Sequence, residues 1–254
     1  SADYMMWLLG FGVLAGAGIG FGYSAATPPA LKWFPPARTG MIAGLVVAGF
    51  GLAPVYLSPL SQYLLTHYAL RHSMSIFGLA FAVIVCGLAQ LLRNPPPGYT
   101  TAAPGPATAT KPAVVSVAPS QILRSPGFYL LWVIYFIGAG AGLMVISSVS
   151  GMAKASMGDA AFVAVAVMAI GNAGGRIGAG ILSDRIGRRW TLMIVLLCQA
   201  ALMLVAIPVT RSADTSPFTV VLVATLIGFN YGANLSLFPA FAKDLWGLKT
   251  FGLN

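Results

Sequence analysis

The sequence predicts an all-α, polytopic membrane protein, a bundle of helices that cross a bilayer. Three observations carry that prediction. Only 7% of the 254 residues are charged and 58% are hydrophobic. Ordinary soluble domains are about 25% charged, so this chain lacks the residues to cover a water-facing surface. The apolar residues also gather into seven runs, each long enough to span a hydrocarbon core, which takes about 20 residues of helix. The formal net charge is +9. In a soluble protein that would suggest nucleic acid, but here the cations fall between the apolar runs, where they set topology. No nucleic-acid partner is expected; the lipid bilayer is the surrounding partner.

The runs lie at about 5–28, 40–65, 73–92, 127–153, 160–182, 190–209 and 217–241. The first is dense in glycine (GFGVLAGAGIGFG), with Gly16 and Gly20 at the spacing of close helix contact, and it ends at Pro28 and Pro29. It is long and glycine-rich, unlike a cleavable signal peptide, and reads as a span or as the start of a fragment that begins at Ser1. The second run carries Pro54 and Pro59, whose missing donors predict kinks. The third and sixth hold Cys86 and Cys198, small apolar-run residues without disulfide or metal spacing. The fourth contains GAGAG, the fifth GNAGGRIGAG, and the seventh Asn230, Tyr231 and Asn234.

Between the third and fourth runs lies a stretch rich in Pro, Ala and Thr without helical period, a flexible extramembrane linker. It divides the chain into residues 1–94 with three spans, the linker 95–125, and residues 126–254 with four. When the spans alternate in direction, ten Lys and Arg fall on the linker side: Lys32, Arg38, Arg93, Lys111, Arg124, Arg185, Arg188, Arg189, Lys243 and Lys249. Arg71, Lys154 and Arg211 fall on the other. The positive-inside bias makes the linker and the 184–189 loop cytoplasmic, in a multi-pass protein of the cell membrane.

Arg176 is the exception, a cation inside the fifth run. It stands eight residues before Asp184, about 12 Å along a helix axis, on the cytoplasmic side of the midplane. A lone cation there costs at least about 2.5–3.5 kcal/mol unless paired or hydrated. All five acids are aspartates (Asp3, Asp159, Asp184, Asp214 and Asp244), and none is within a turn of it. Asn172, at i−4, shares its face and offers a dipole only. Five neighbouring glycines (171, 174, 175, 178 and 180) leave space for a ligand or a helix. The functional reading is a bidentate fork for the carboxylate of an anion in a central cavity; the plainer one is a snorkelling or structurally paired arginine. Tyr23, Tyr56, Asn230, Tyr231 and Asn234 are further candidates for lining that cavity, against packing roles for each. His67 and His72 read as interfacial rather than as a metal pair.

The segment GILSDRIGRR follows at once, with Gly180, Asp184, Arg185, Gly187, Arg188 and Arg189 in the spacing G-x-x-x-D-R-x-G-R-R. Asp184 is placed to favour the positive N-terminus of the next helix. That spacing resembles the loop motif of the major facilitator superfamily. LKWFPPARTGMIAGLVVAGFGLA (31–53), LLRNPPPGY (91–99) and GANLSLFPAFAKDLWGLKTFGLN (232–254) are similar to the oxalate/formate antiporter family, which is related to monocarboxylate transporters. The resemblance implies a major-facilitator helical bundle of twelve spans, of which these seven would be the fourth to the tenth, so that the chain is a fragment. It implies that an arginine at the position of Arg176 meets the substrate carboxylate, aided in oxalate transporters by a cation in helix eleven. The sequence departs from the family at Pro35-Pro36-Ala37-Arg38, where a more charged stretch is usual. It departs again at Asn172, where monocarboxylate transporters carry an aspartate.

The expected function is therefore secondary transport of small organic anions (oxalate, formate or a monocarboxylate) by alternating access, as an antiporter. The protein is not expected to be an enzyme, to hold a cofactor or metal, or to need a second copy when full length. A bacterial inner membrane is the expected location. Two alternatives are a transporter-like sensor or scaffold and a seven-span receptor. A retinal protein is disfavoured, because Lys243 stands at the end of its span and no acid lies mid-span.

Overall fold

A computed structural model describes residues 4–96, 98–99, 117–158, 161–211 and 216–247. Most of the linker, with Lys111, and also Lys249, Asp3, Asp159 and Asp214 lie outside the described residues. Among the described residues, seven helices are long and apolar enough to cross a membrane, and there is no strand. They are α1 (Tyr4–Lys32), α2 (Thr39–His67), α3 (Leu70–Ala89), α4 (Pro126–Met157), α5 (Ala161–Ile186), α6 (Arg188–Arg211) and α7 (Pro217–Trp246).

Each helix matches one predicted run, and the ends follow local chemistry. Pro126 and Pro217 open α4 and α7, where a missing N–H costs nothing because the first turn has no acceptor for it. Ser216 caps α7, its Oγ accepting from the Thr219 amide at 3.3 Å. Pro28, Pro29, Pro54 and Pro59 all lie within helices.

The centre of the bundle is α5, which lies between α2 on one face and α7 on the other. Lipid tails are as apolar as leucine, so close backbone approach has to replace the hydrophobic effect as the driving force for helix association. Glycine makes that approach possible. A Cβ on Gly175 would stand 1.8 Å from the Phe229 carbonyl oxygen, and one on Gly232 would stand 2.0 Å from that of Asn172. On the opposite face, a Cβ on Gly44 would meet the Arg176 carbonyl oxygen at 2.3 Å, and one on Gly180 would meet that of Gly40 at 2.3 Å. The expectation for α1 fails by the same measure. Gly16 and Gly20 have nothing within 4 Å, and residues 4–22 are exposed throughout. That helix joins the bundle through its second half, where Tyr23 donates to the Leu235 carbonyl and Leu31 packs with Ile42 and Ala43.

Candidate functional site

Arg176 is fully buried, with 0% of its surface exposed. Its Nε donates to Asn172 Oδ1 at 2.9 Å, one turn back on α5. Its Nη1 donates to the Val47 carbonyl on α2. The guanidinium carbon lies 5.2 Å from the centre of the Phe50 ring, in cation–π range. Nη2 has no partner. The arginine is thus gripped by both parts of the chain, by neutral groups alone. Gly51 leaves it room, since a Cβ there would stand 3.2 Å from Nε.

Arg176 lines a cavity of about 560 Å³ between α1 and α2 on one side and α4, α5 and α7 on the other. Tyr23, Tyr135 and Tyr231 line it too. The Tyr23 hydroxyl donates to the Leu235 carbonyl at 3.2 Å, which ties α1 to α7. Tyr231 is seated against α4 by Gly142, where a Cβ would approach its ring to 2.8 Å. Two glycines of the GAGAG run therefore serve α7 side chains, because Gly138 faces the Asn234 amide in the same way.

Of the residues singled out from sequence, Arg176, Tyr23 and Tyr231 share this cavity, and Asn172 braces the arginine. The others lie elsewhere. Tyr56 is 55% exposed and is not on the cavity wall. Asn230 is buried against α6, donating to the Val195 carbonyl at 2.9 Å and to Gln199 Oε1 at 2.7 Å. Asn234 is buried one turn on, donating to the Asn230 carbonyl at 3.3 Å. Asn230 ties α7 to α6, and Asn234 packs where Gly138 of α4 leaves room for it. Tyr135, Phe50 and Trp132 were missed. Their helices are apolar all round, so no periodicity distinguishes an inward face from a lipid face.

At the linker end, a second constellation joins the same helices. Gly187 breaks the chain between α5 and α6 in one residue, at φ +90°, a conformation glycine adopts without strain. Asp184 also reaches a different helix from the one that follows it. Its two oxygens accept from the Gly40 and Met41 amides at 2.9 and 2.8 Å, capping α2. Arg188 bridges Asp184 at 2.7 Å and Asp244 of α7 at 3.1 Å, and also donates to Ser183. Lys243 donates to Thr39. Arg185 and Arg189 are exposed beside this cluster. The linker's described ends are tied down nearby: Trp33 Nε1 donates to the Arg93 carbonyl at 3.0 Å, and the Val117 amide to that of Trp246 at 3.1 Å.

The sequence pattern that defines the Major Facilitator Superfamily matches residues 1–253. The chain belongs to that superfamily. Among curated proteins, this superfamily member is 28% identical over 239 residues to the oxalate:formate antiporter of Oxalobacter formigenes, covering 92% of this chain and 54% of that protein. It is 28% identical over 261 residues to an uncharacterised MFS-type transporter of Escherichia coli (strain K12), YhjX, covering 100% of this chain and 61% of that protein. It is 22% identical over 309 residues to apicoplast pyruvate carrier 1 of Toxoplasma gondii, covering 98% of this chain and 56% of that protein. The chain therefore spans little more than half the length of these relatives.

Proposed function

We propose that the protein is a secondary transporter of small organic anions, and that Arg176 receives the substrate carboxylate. One observation carries this reading: a fully buried guanidinium on a cavity wall, held by neutral partners, with Nη2 left without a hydrogen-bond partner among the described residues. A bound carboxylate supplies both the missing acceptor and the missing charge. Tyr23, Tyr135 and Tyr231 offer hydroxyls beside it. The names of two relatives, an oxalate:formate antiporter and a pyruvate carrier, support a carboxylate as the cargo.

In this reading the two parts rock around the anion, and the Asp184–Arg188–Asp244 cluster with the capped end of α2 latches the cytoplasmic side. Exchange follows from charge. The empty site carries a net positive charge in a low-dielectric setting, so reorientation is cheaper with an anion aboard. Replacing Arg176 by Gln or by Lys in the full-length protein is expected to abolish counterflow of labelled oxalate, formate and pyruvate in proteoliposomes. Thermal unfolding of the variants checks that they fold. Unchanged exchange by Arg176→Gln would refute the assignment.

A further inference from the structure

We infer that the Tyr23 hydroxyl and the Leu235 carbonyl form a joint between the two parts of the chain, and that Pro239 creates it by leaving that carbonyl without its helical donor. In an α-helix the carbonyl of residue 235 would accept from the amide of residue 239. Pro239 lies inside α7. It has no N–H, and its ring crowds the carbonyl four residues back. That carbonyl is left to bond outside the ladder of its own helix. Tyr23 of α1 supplies the donor, its hydroxyl reaching the Leu235 oxygen at 3.2 Å. Tyr23, Leu235 and Pro239 line the same cavity, so the proline faces the side from which the tyrosine comes.

Two observations set this contact apart. Among the described residues, side chains of other helices reach helix carbonyls at Val47, Val195 and Leu235. Gly51 and Gln199 carry an N–H for the first two, and of the three only Leu235 stands four places before a proline. The second observation is its place. Tyr23 stands nine residues before Lys32, and Leu235 eleven before Trp246, so the joint lies roughly 15 Å inside the linker ends of both helices. Rocking of the two parts separates α1 from α7 at that end and breaks the bond. The joint therefore favours the arrangement closed at the linker end. The hydroxyl has one proton, so holding Leu235 and donating to an anion are alternatives.

This rests on the rocking motion proposed above, and the test reads that motion directly, without anion. Spin labels at Phe34, just beyond α1, and Arg189, in the first turn of α6, are both exposed at the linker end. In a cysteine-free background of the full-length protein they report the populations closed and open there. Tyr23→Phe is expected to move the ratio about threefold to tenfold toward open. A tyrosine that served only the cargo would leave it unmoved. Pro239→Ala returns an N–H to the Leu235 carbonyl, and in that background Tyr23→Phe is expected to move the ratio less than about twofold. Pro239→Gly returns the same N–H if Pro239→Ala does not fold; if neither folds, Tyr23→Phe alone decides. An unchanged ratio in Tyr23→Phe overturns the inference. An equal shift in both backgrounds does so too, since the tyrosine would then act by packing. In either case two populations in the parent leave the rocking reading standing. A single distance in the parent, with and without oxalate and formate, overturns both.

Discussion

Every partner that holds Arg176 is uncharged: an amide oxygen at 2.9 Å, a main-chain carbonyl and an aromatic face. Asn172 matters most among them, because it orients the fork without cancelling its charge. Asn172→Asp places a carboxylate one turn before the arginine, where an i, i+4 pair forms readily. The substrate then competes with a built-in anion, and KM for uptake is expected to rise about tenfold or more, a loss of at least about 1.4 kcal/mol. Initial uptake rates against anion concentration measure it. The arginine and its asparagine were legible from sequence, since a cation in an apolar run is expensive wherever it points. Asn230 and Asn234 were not. A polar side chain in a membrane helix shows only that it avoids lipid; Asn230 bonds across to α6 and Asn234 bonds back to its own helix, and neither lines the cavity.

At the scale of elements, α5 is held at crossings too close for any side chain. Gly175→Ala would drive its Cβ to 1.8 Å from a main-chain oxygen, and backbone gives way less readily than a side chain. A loss of about 1–3 kcal/mol is expected, read as a lowered midpoint of thermal unfolding in detergent. Gly174→Ala, whose nearest neighbours are ring atoms of Phe229 at 3.8 Å, is expected to unfold like the parent. Sequence alone could not tell these neighbours apart, because both stand in the same run of small residues. The seven spans were legible in full, since length and apolarity decide them. The partner of Asp184 was not. Its local spacing suits the helix that follows, yet the amides it accepts from belong to α2, whose Gly40 packs closely against Gly180, where a Cβ would not fit. Asp184→Ala removes the cap and one side of the Arg188 bridge. It is expected to shift the population away from the state closed at the linker end, by about 1–2 kcal/mol. Spin-label distances between α2 and α6 at that end report the shift.

For the molecule as a whole, the excess of cations at the linker end predicts how the bundle sits in its membrane. A cysteine at Arg189, exposed beside the loop, is expected to react with an impermeant maleimide only from the cytoplasmic face. A cysteine at Lys154, exposed near the end of α4, should react only from the opposite face. The reverse pattern would invert the topology. The crossing of α2 and α5 has a further consequence. The carbonyl oxygen of Arg176 is the atom against which Gly44 packs, and its guanidinium bonds the Val47 carbonyl one turn along the same helix. Under the proposed function, one residue is both the anion's contact and the contact between α2 and α5. Separating α2 from α5 must alter anion affinity, and by reciprocity the anion must alter their separation by the same factor. Coupling between cargo and movement then needs no relay, because both act on a single amino acid.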